Sequence, residues 1–212
     1  GRGAFIQLFG TEGLWGSYLV EVPNAGALSA ERHIYEKVFL VLEGRGTTEI
    51  WMSEEKKPEL FEWEKGSLFA IPLNALHRIV NSLNTPALLL AGTSAPNVFN
   101  LFDDADIIFN STLFFQKRFN AKEKNFKSVS GSEEDNSRGL AMRRTNIIPN
   151  IFSTELYKDN RRTPGYRRIE PKMANNRFYQ YISEYPAGRY SRAYYPGEAA
   201  VFLSIVGQGY CN

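Results

Sequence analysis

Apolar residues in this chain come in short runs and alternations rather than at helical spacing. Residues 38–42 (VFLVL) form an apolar run of strand-forming residues, closed by Glu43-Gly44-Arg45-Gly46. A run of that length ending on glycines predicts a buried strand and a turn. Residues 47–51 (TTEIW) alternate and predict the returning strand. Residues 61–65 (FEWEK) alternate again, Gly66-Ser67 supplies a turn, and residues 68–71 (LFAI) form a run that Pro72 stops. Residues 77–80 and 88–91 complete the series. Short strands about every ten residues, punctuated by Gly, Pro, Asn and Ser, predict an all-β sandwich or barrel.

Composition sharpens this only in part. At 212 residues the chain has room for one large or two small domains, and 14% aromatic residues support an ordered core. A net charge of +2 implies no global electrostatic partner. A single cysteine, Cys211, leaves no internal disulfide and suits a reducing, cytoplasmic setting. No apolar run approaches the roughly 18 residues of a membrane span, and no leader pattern opens the chain. We therefore expect no membrane partner. The Asn110-Ser-Thr112 sequon is a frequent chance pattern. No nucleophile elbow, phosphate loop or Cys–His pair offers another chemistry.

The two histidines of the chain stand in two distinctive frames. One is Glu31-x-His33-x3-Lys37-x6-Gly44; the other is Gly66-x5-Pro72-x-Asn74-x2-His77-x3-Asn81. These frames resemble the two motifs of the cupin superfamily, His-x-His-x3-4-Glu-x6-Gly and Gly-x5-Pro-x-Gly-x2-His-x3-Asn. The second motif fits at every anchor but one, where Asn74 replaces a glycine; Asn tolerates left-handed backbone angles better than most residues. The first motif departs further. Glu31 stands in place of the first histidine, His33 matches the second, and Lys37 stands where the family has a metal-binding glutamate.

The resemblance implies a double-stranded β-helix (jelly-roll) barrel around a small-molecule pocket. It also implies a divalent metal (Fe, Mn, Ni or Zn) held at Glu31, His33 and His77. Two histidines and one carboxylate are the ligand set of non-haem Fe(II) oxygenases, so an oxygenase-like activity on a small organic acid or aromatic compound is expected. The alternative is a metal-free barrel for small-molecule binding, sensing or assembly. In that case Lys37 pairs with Glu31 and replaces the metal. Glu36 is expected on the opposite face of its strand from Lys37. Tyr35, Trp51, Trp63 and Phe69 are candidates to line the pocket, and Asn81 to accept from a histidine ring nitrogen.

An internal repeat follows at constant offset. Tyr18-Leu-Val-Glu-Val-Pro23 matches Tyr181-Ile-Ser-Glu-Tyr-Pro186, and residues 38–46 (VFLVLEGRG) match residues 201–209 (VFLSIVGQG). This resembles a bicupin whose second repeat is incomplete. Tyr194, Pro196 and Ala200 stand opposite Glu31, His33 and Lys37, so that copy has no metal ligands. The expected organisation is a first barrel at 1–118, a basic and partly flexible linker at 119–170, and the start of a second repeat at 171–212. Its strands are expected to add to the first sheet. Lys and Arg outnumber Asp and Glu from Lys117 to Arg168, but no nucleic-acid motif accompanies the charge, and a solvated linker is the expectation. Residues 147–152 (IIPNIF) are expected to anchor that linker to the barrel. Exposed strand edges predict a homodimer.

Overall fold

The computed structural model describes residues 1–11, 13–51, 57–113, 115, 126–127, 131–135, 139–193 and 200–210. Nine strands come first: β1 (Gly3–Ile6), β2 (Gly16–Val22), β3 (Gly26–Ala27), β4 (Lys37–Glu43), β5 (Arg45–Trp51), β6 (Glu59–Glu64), β7 (Leu68–Ile71), β8 (Leu76–Asn81) and β9 (Ala87–Thr93). Two short helices follow, α1 (Ala95–Phe102) and α2 (Ala105–Phe109). Six further strands are β10 (Glu133–Asp135), β11 (Leu140–Arg144), β12 (Ile147–Ile148), β13 (Tyr157–Lys158), β14 (Arg167–Lys172) and β15 (Ile182–Glu184).

A six-stranded sheet, β1-β2-β9-β4-β7-β12, faces a four-stranded sheet, β3-β8-β5-β6. Alternation along each strand sends every second side chain into the space between them. Phe39, Val41, Phe69, Ile71 and Leu89 enter from the first sheet; Ile50, Phe61, Trp63 and Ile79 enter from the second. Strand spacing predicts a sandwich or barrel, and this is the jelly-roll barrel that the resemblance implies. Each of the six runs read as a strand lies within a strand of this barrel or overlaps all but its last residue. The buried indole of Trp63 donates to Thr48 Oγ1 at 3.0 Å, which satisfies that donor inside the core.

Two glycine turns fix the register. Gly44, between β4 and β5, has φ +87°, and a Cβ there would lie 2.7 Å from Ala87 Cβ. Gly66, between β6 and β7, has φ +87° as well, and Phe152 packs where its side chain would stand. Both turns demand a residue without a side chain.

The outward face of β4 and β7 is covered as well. Val38 and Ala70 pack with Ile148, Ile151, Met173 and Ala174 in a second core. Residues 147–148 join the barrel as β12, which pairs with β7, in line with the expected anchor. The stretch expected as a linker is more ordered than its polarity suggested. β11 runs parallel to β14, and β13 and β15 flank β14 in a separate sheet. Met142, Ile169 and Leu140 are its buried anchors. Parts of the expected flexible loop, 128–130 and 136–138, lie outside the described residues, and 133–135 form β10.

The second copy of the repeat also differs from expectation. Residues 182–184 form a strand, but it pairs with β14 and adds nothing to the barrel sheets. Residues 201–209 carry no strand, and Phe202 and Val206 are 75% and 77% exposed. The like-patterned β4 is an interior strand with partners on both sides, β7 and β9. An apolar segment without such neighbours has no ladder to join. Tyr194 and Pro196 lie outside the described residues.

Candidate metal centre

Three segments converge at the barrel end formed by the start of β4 and the β7–β8 turn. The backbones of Glu31 and His77 exchange both hydrogen bonds, each 2.9 Å, in an isolated antiparallel bridge. That pairing puts their side chains next to one another on one face. His33 is tied to the same turn, because Asn74 N–H donates to the His33 carbonyl at 3.0 Å. Asn74 itself has φ 59°, the left-handed conformation expected where the motif has glycine. Its Nδ2 donates to the carbonyls of Ser111 and Leu113 at 2.9 and 2.6 Å, which a glycine could not do.

The result brings one donor atom each from Glu31, His33 and His77 within 4.8 Å of one another. His33 and His77 are 2% and 1% exposed. His33 Nδ1 lies 2.9 Å from the Tyr35 carbonyl, and His77 Nδ1 lies 3.0 Å from the Ala75 carbonyl. A carbonyl only accepts, so both Nδ1 atoms carry the proton. Both Nε2 atoms are then bare lone pairs, and neither has a hydrogen-bond partner although both are buried. A backbone acceptor on the far nitrogen, orienting the ring and fixing its tautomer, is the usual environment of a metal-ligating histidine. Burial, with the nearby Lys37 charge, holds the His33 imidazole well below the usual histidine range. It is neutral, as ligation requires.

Glu31 differs from its neighbours in being 47% exposed at its side chain. Its Oε1 accepts from Lys37 Nζ at 2.6 Å and lies 3.2 Å from His77 Nε2. Burial resists ionisation of Glu31, but the Lys37 ammonium outweighs it and holds the carboxyl well below the usual carboxylate range. Lys37 is 1% exposed, with its ammonium 5.8, 5.6 and 5.5 Å from the ring centres of Tyr18, Tyr35 and Phe39. Rings at that range offer a cation their negative faces. The Lys37–Glu31 pair expected for a metal-free site is thus present, beside the two bare imidazole nitrogens.

The other expected residues lie in four different places. Tyr35 is at the site: its ring stacks on His33 at 3.7 Å, and burial pushes its phenol up to about 12. Phe99 of α1 and Phe109 of α2 meet its edge, at 5.7 and 6.2 Å, which places the two helices against the site. Phe69 is fully buried one inward position further down the barrel, paired across from Phe39 and packed on Phe61 and Trp63. It belongs to the barrel core. Trp51 is on the outer face, because Ile50 pairs with His77 and points inward, so its neighbour points out. There it lies 5.8 Å from the Arg78 guanidinium, which binds Glu49 at 2.5 Å. Asn81 is buried, but it latches the β8–β9 turn instead of a histidine. Its Nδ2 donates to Thr85 O at 2.8 Å and its Oδ1 accepts from Leu83 N.

Glu36 faces away from the site, as alternation predicts, and its carboxylate accepts from Arg177 N–H at 2.9 Å. Tyr18 was not foreseen. It enters through β2, whose pairing with β9 sets Tyr18 across from Ala91, itself across from Phe39. No spacing in the sequence joins Tyr18 to Lys37.

Residues 16–127 match the profile of the Cupin family. No curated protein matches the chain. Among solved structures, BH2720 from Bacillus halodurans is similar at 20% identity and TM-score 0.37, over 38% of this chain and 62% of that one. The vicilin of Solanum melongena is similar at 16% identity and TM-score 0.34, over 38% of this chain and 21% of that one. The Lactobacillus farciminis oxalate decarboxylase–formate complex is similar at 20% identity and TM-score 0.36, over 39% and 25%. The chain spans less than two thirds of the length of each of these. Among the described residues, no helix is long and apolar enough to cross a membrane.

Proposed function

Because the chain belongs to the cupin family, we propose that it is a metal-dependent barrel enzyme, oxygenase-like, acting on a small organic acid or aromatic compound. Glu31, His33 and His77 hold the divalent ion. The observation that carries this reading is the pair of buried, unpartnered Nε2 atoms, each on a ring whose Nδ1–H is fixed on a backbone carbonyl. An unsatisfied buried polar atom costs about 1–3 kcal/mol, and two on one site are explained by a cation that both address. Borderline nitrogen donors with one carboxylate suit Fe, Mn, Ni or Zn. A bound ion would supply Lewis-acid charge and open coordination positions.

The chain's own residues do the rest. Tyr35 holds the His33 ring by stacking and keeps its phenolic proton. The carbonyls of Tyr35 and Ala75 keep both histidines in the ligating tautomer. Glu31, half-exposed, stands at the solvent side of the site, and the buried Lys37 beside it supplies a fixed positive charge for an acidic substrate.

The test is a reaction screen. Metal-stripped protein is reloaded with Fe(II), Mn(II), Ni(II) or Zn(II) and offered small carboxylic acids and phenols, with oxygen uptake and product formation followed. Turnover with at least one metal, abolished in His77→Ala, is expected. No turnover with any metal, with ligands still bound by the stripped protein, would instead favour the second reading. That reading, a metal-free small-molecule-binding barrel, draws on the 2.6 Å Lys37–Glu31 pair. On either reading we interpret the match of residues 181–209 to residues 18–46 as the start of a second cupin repeat, and expect the protein to act as a homodimer.

A further inference from the structure

Lys37 and Glu31 form an ion pair of unequal partners. Lys37 is 1% exposed and ringed by Tyr18, Tyr35 and Phe39, whereas the Glu31 side chain is 47% exposed. The cation is fixed and its counter-ion is the movable member. The same carboxylate is the only acid among the described residues that clusters with His33 and His77. Its Oε1 already stands 3.2 Å from His77 Nε2. Glu31 therefore lies between two claimants, the Lys37 ammonium and whatever cation the two imidazoles address.

A divalent ion that takes Glu31 leaves Lys37 without its counter-ion. Glu36 cannot replace it, because its carboxylate faces the other side of β4 and accepts from Arg177 N–H. A buried cation without a partner is costly, and the ion itself adds two further positive charges. The charge imbalance is met most simply by an anion entering at the exposed Glu31 side. We propose that Lys37 is a counter-ion switch that couples metal binding at Glu31, His33 and His77 to the binding of a carboxylate anion. This rests on the metal reading above and deepens it: Lys37 selects a substrate that carries a carboxylate, and that carboxylate tightens the metal. By linkage the metal tightens the anion equally.

Cobalt(II) and formate test this, with visible absorption of the bound ion as readout and no turnover required. Metal-stripped wild-type protein is titrated with Co(II) at constant ionic strength, with and without saturating formate. Free Co(II) is corrected for formate complexation. Formate should tighten Co(II) binding about tenfold, within the usual range of such couplings. In Lys37→Met, an unbranched apolar side chain among aromatic rings, Co(II) should bind tightly without formate, and the formate effect should fall to a small residue. Equal formate effects in both proteins, or none in the wild type, would overturn the proposal while leaving the metal reading intact. Absence of Co(II) binding in both would overturn the metal reading and this proposal with it.

Glu31→Gln provides a second arm that does not depend on the folding of Lys37→Met. It strips Lys37 of its counter-ion without any metal. Formate should raise the melting temperature of metal-free Glu31→Gln and leave that of the metal-free wild type unchanged. An identical response in the two would overturn the switch.

Discussion

Asn74 carries two duties at one position: it adopts φ 59°, and its amide holds the carbonyls of Ser111 and Leu113. Asn74→Gly keeps the first and loses the second, and should cost about 1 kcal/mol in denaturant unfolding. Asn74→Ala loses both and should cost about 2 kcal/mol. Equal losses would mean that the left-handed angle costs alanine little there, and a neutral Asn74→Gly that the side-chain contacts contribute little. The turn conformation was legible, because the motif names the position and Asn is a known substitute there. The two histidines, Glu31 and Lys37 were legible for the same reason. What fixes the histidine tautomers was not, because the acceptors are backbone carbonyls of Tyr35 and Ala75, which any residue would present. Trp51 was read as a pocket candidate because it is an aromatic strand residue, and Asn81 as a histidine acceptor from its place in the second motif. Placing Trp51 required the β5–β8 register, in which Ile50 faces His77, and that register is set by tertiary pairing.

At the scale of elements, glycine positions were the most readable signal. Gly44→Ala should destabilise by about 2 kcal/mol or more, since it adds strain at φ +87° and an overlap with Ala87. Thermal or denaturant unfolding would show it, and a neutral result would mean the β4–β5 turn adapts. The sheet of β11, β13, β14 and β15 was hidden because its segments are short and strongly charged, so local composition read as a loop. Buried acids there, Asp159 and Glu170, are paired. Asp159, 8% exposed, accepts from Arg161 at 2.6 Å and lies 3.1 Å from Arg168 Nε. Burial opposes its ionisation, but these two guanidiniums prevail and lower its pKa. A carboxyl lowered on folding stabilises fully above its unfolded pKa of about 4, and that contribution is lost as pH falls through the folded value. Unfolding measured from pH 7 down to 3 should therefore show an acid-side loss of stability that is smaller in Asp159→Asn. Identical pH profiles would remove Asp159 from the account.

Across the whole molecule, two cores share one sheet. β4 and β7 send Phe39 and Phe69 into the barrel and Val38 and Ala70 into the second core with Met173 and Ile148. Strands buried on both faces couple what lies on either side. Met173→Ala, outside the barrel, should cost about 2–5 kcal/mol and still unfold in one transition by far-UV and aromatic signals together. Two separated transitions would show that the barrel stands independently of the second sheet. The barrel could be read from strand spacing and two motifs. Of the second core only Ile148 and Ile151 were legible, in the run read as an anchor; Met173 and Ala174 lie more than a hundred positions from Val38 and Ala70 and share only apolarity with them.

The central claim is that two bare, buried imidazole nitrogens and one carboxylate await a metal. Metal content of untagged protein by plasma mass spectrometry, beside His77→Ala, tests it most directly. Near-stoichiometric Fe, Mn, Ni or Zn in the wild type, lost in the variant, is the predicted result. Less than about a tenth of an equivalent in the wild type, unchanged after incubation with each of the four ions, would contradict the claim and favour a metal-free, ligand-binding barrel with its Lys37–Glu31 pair.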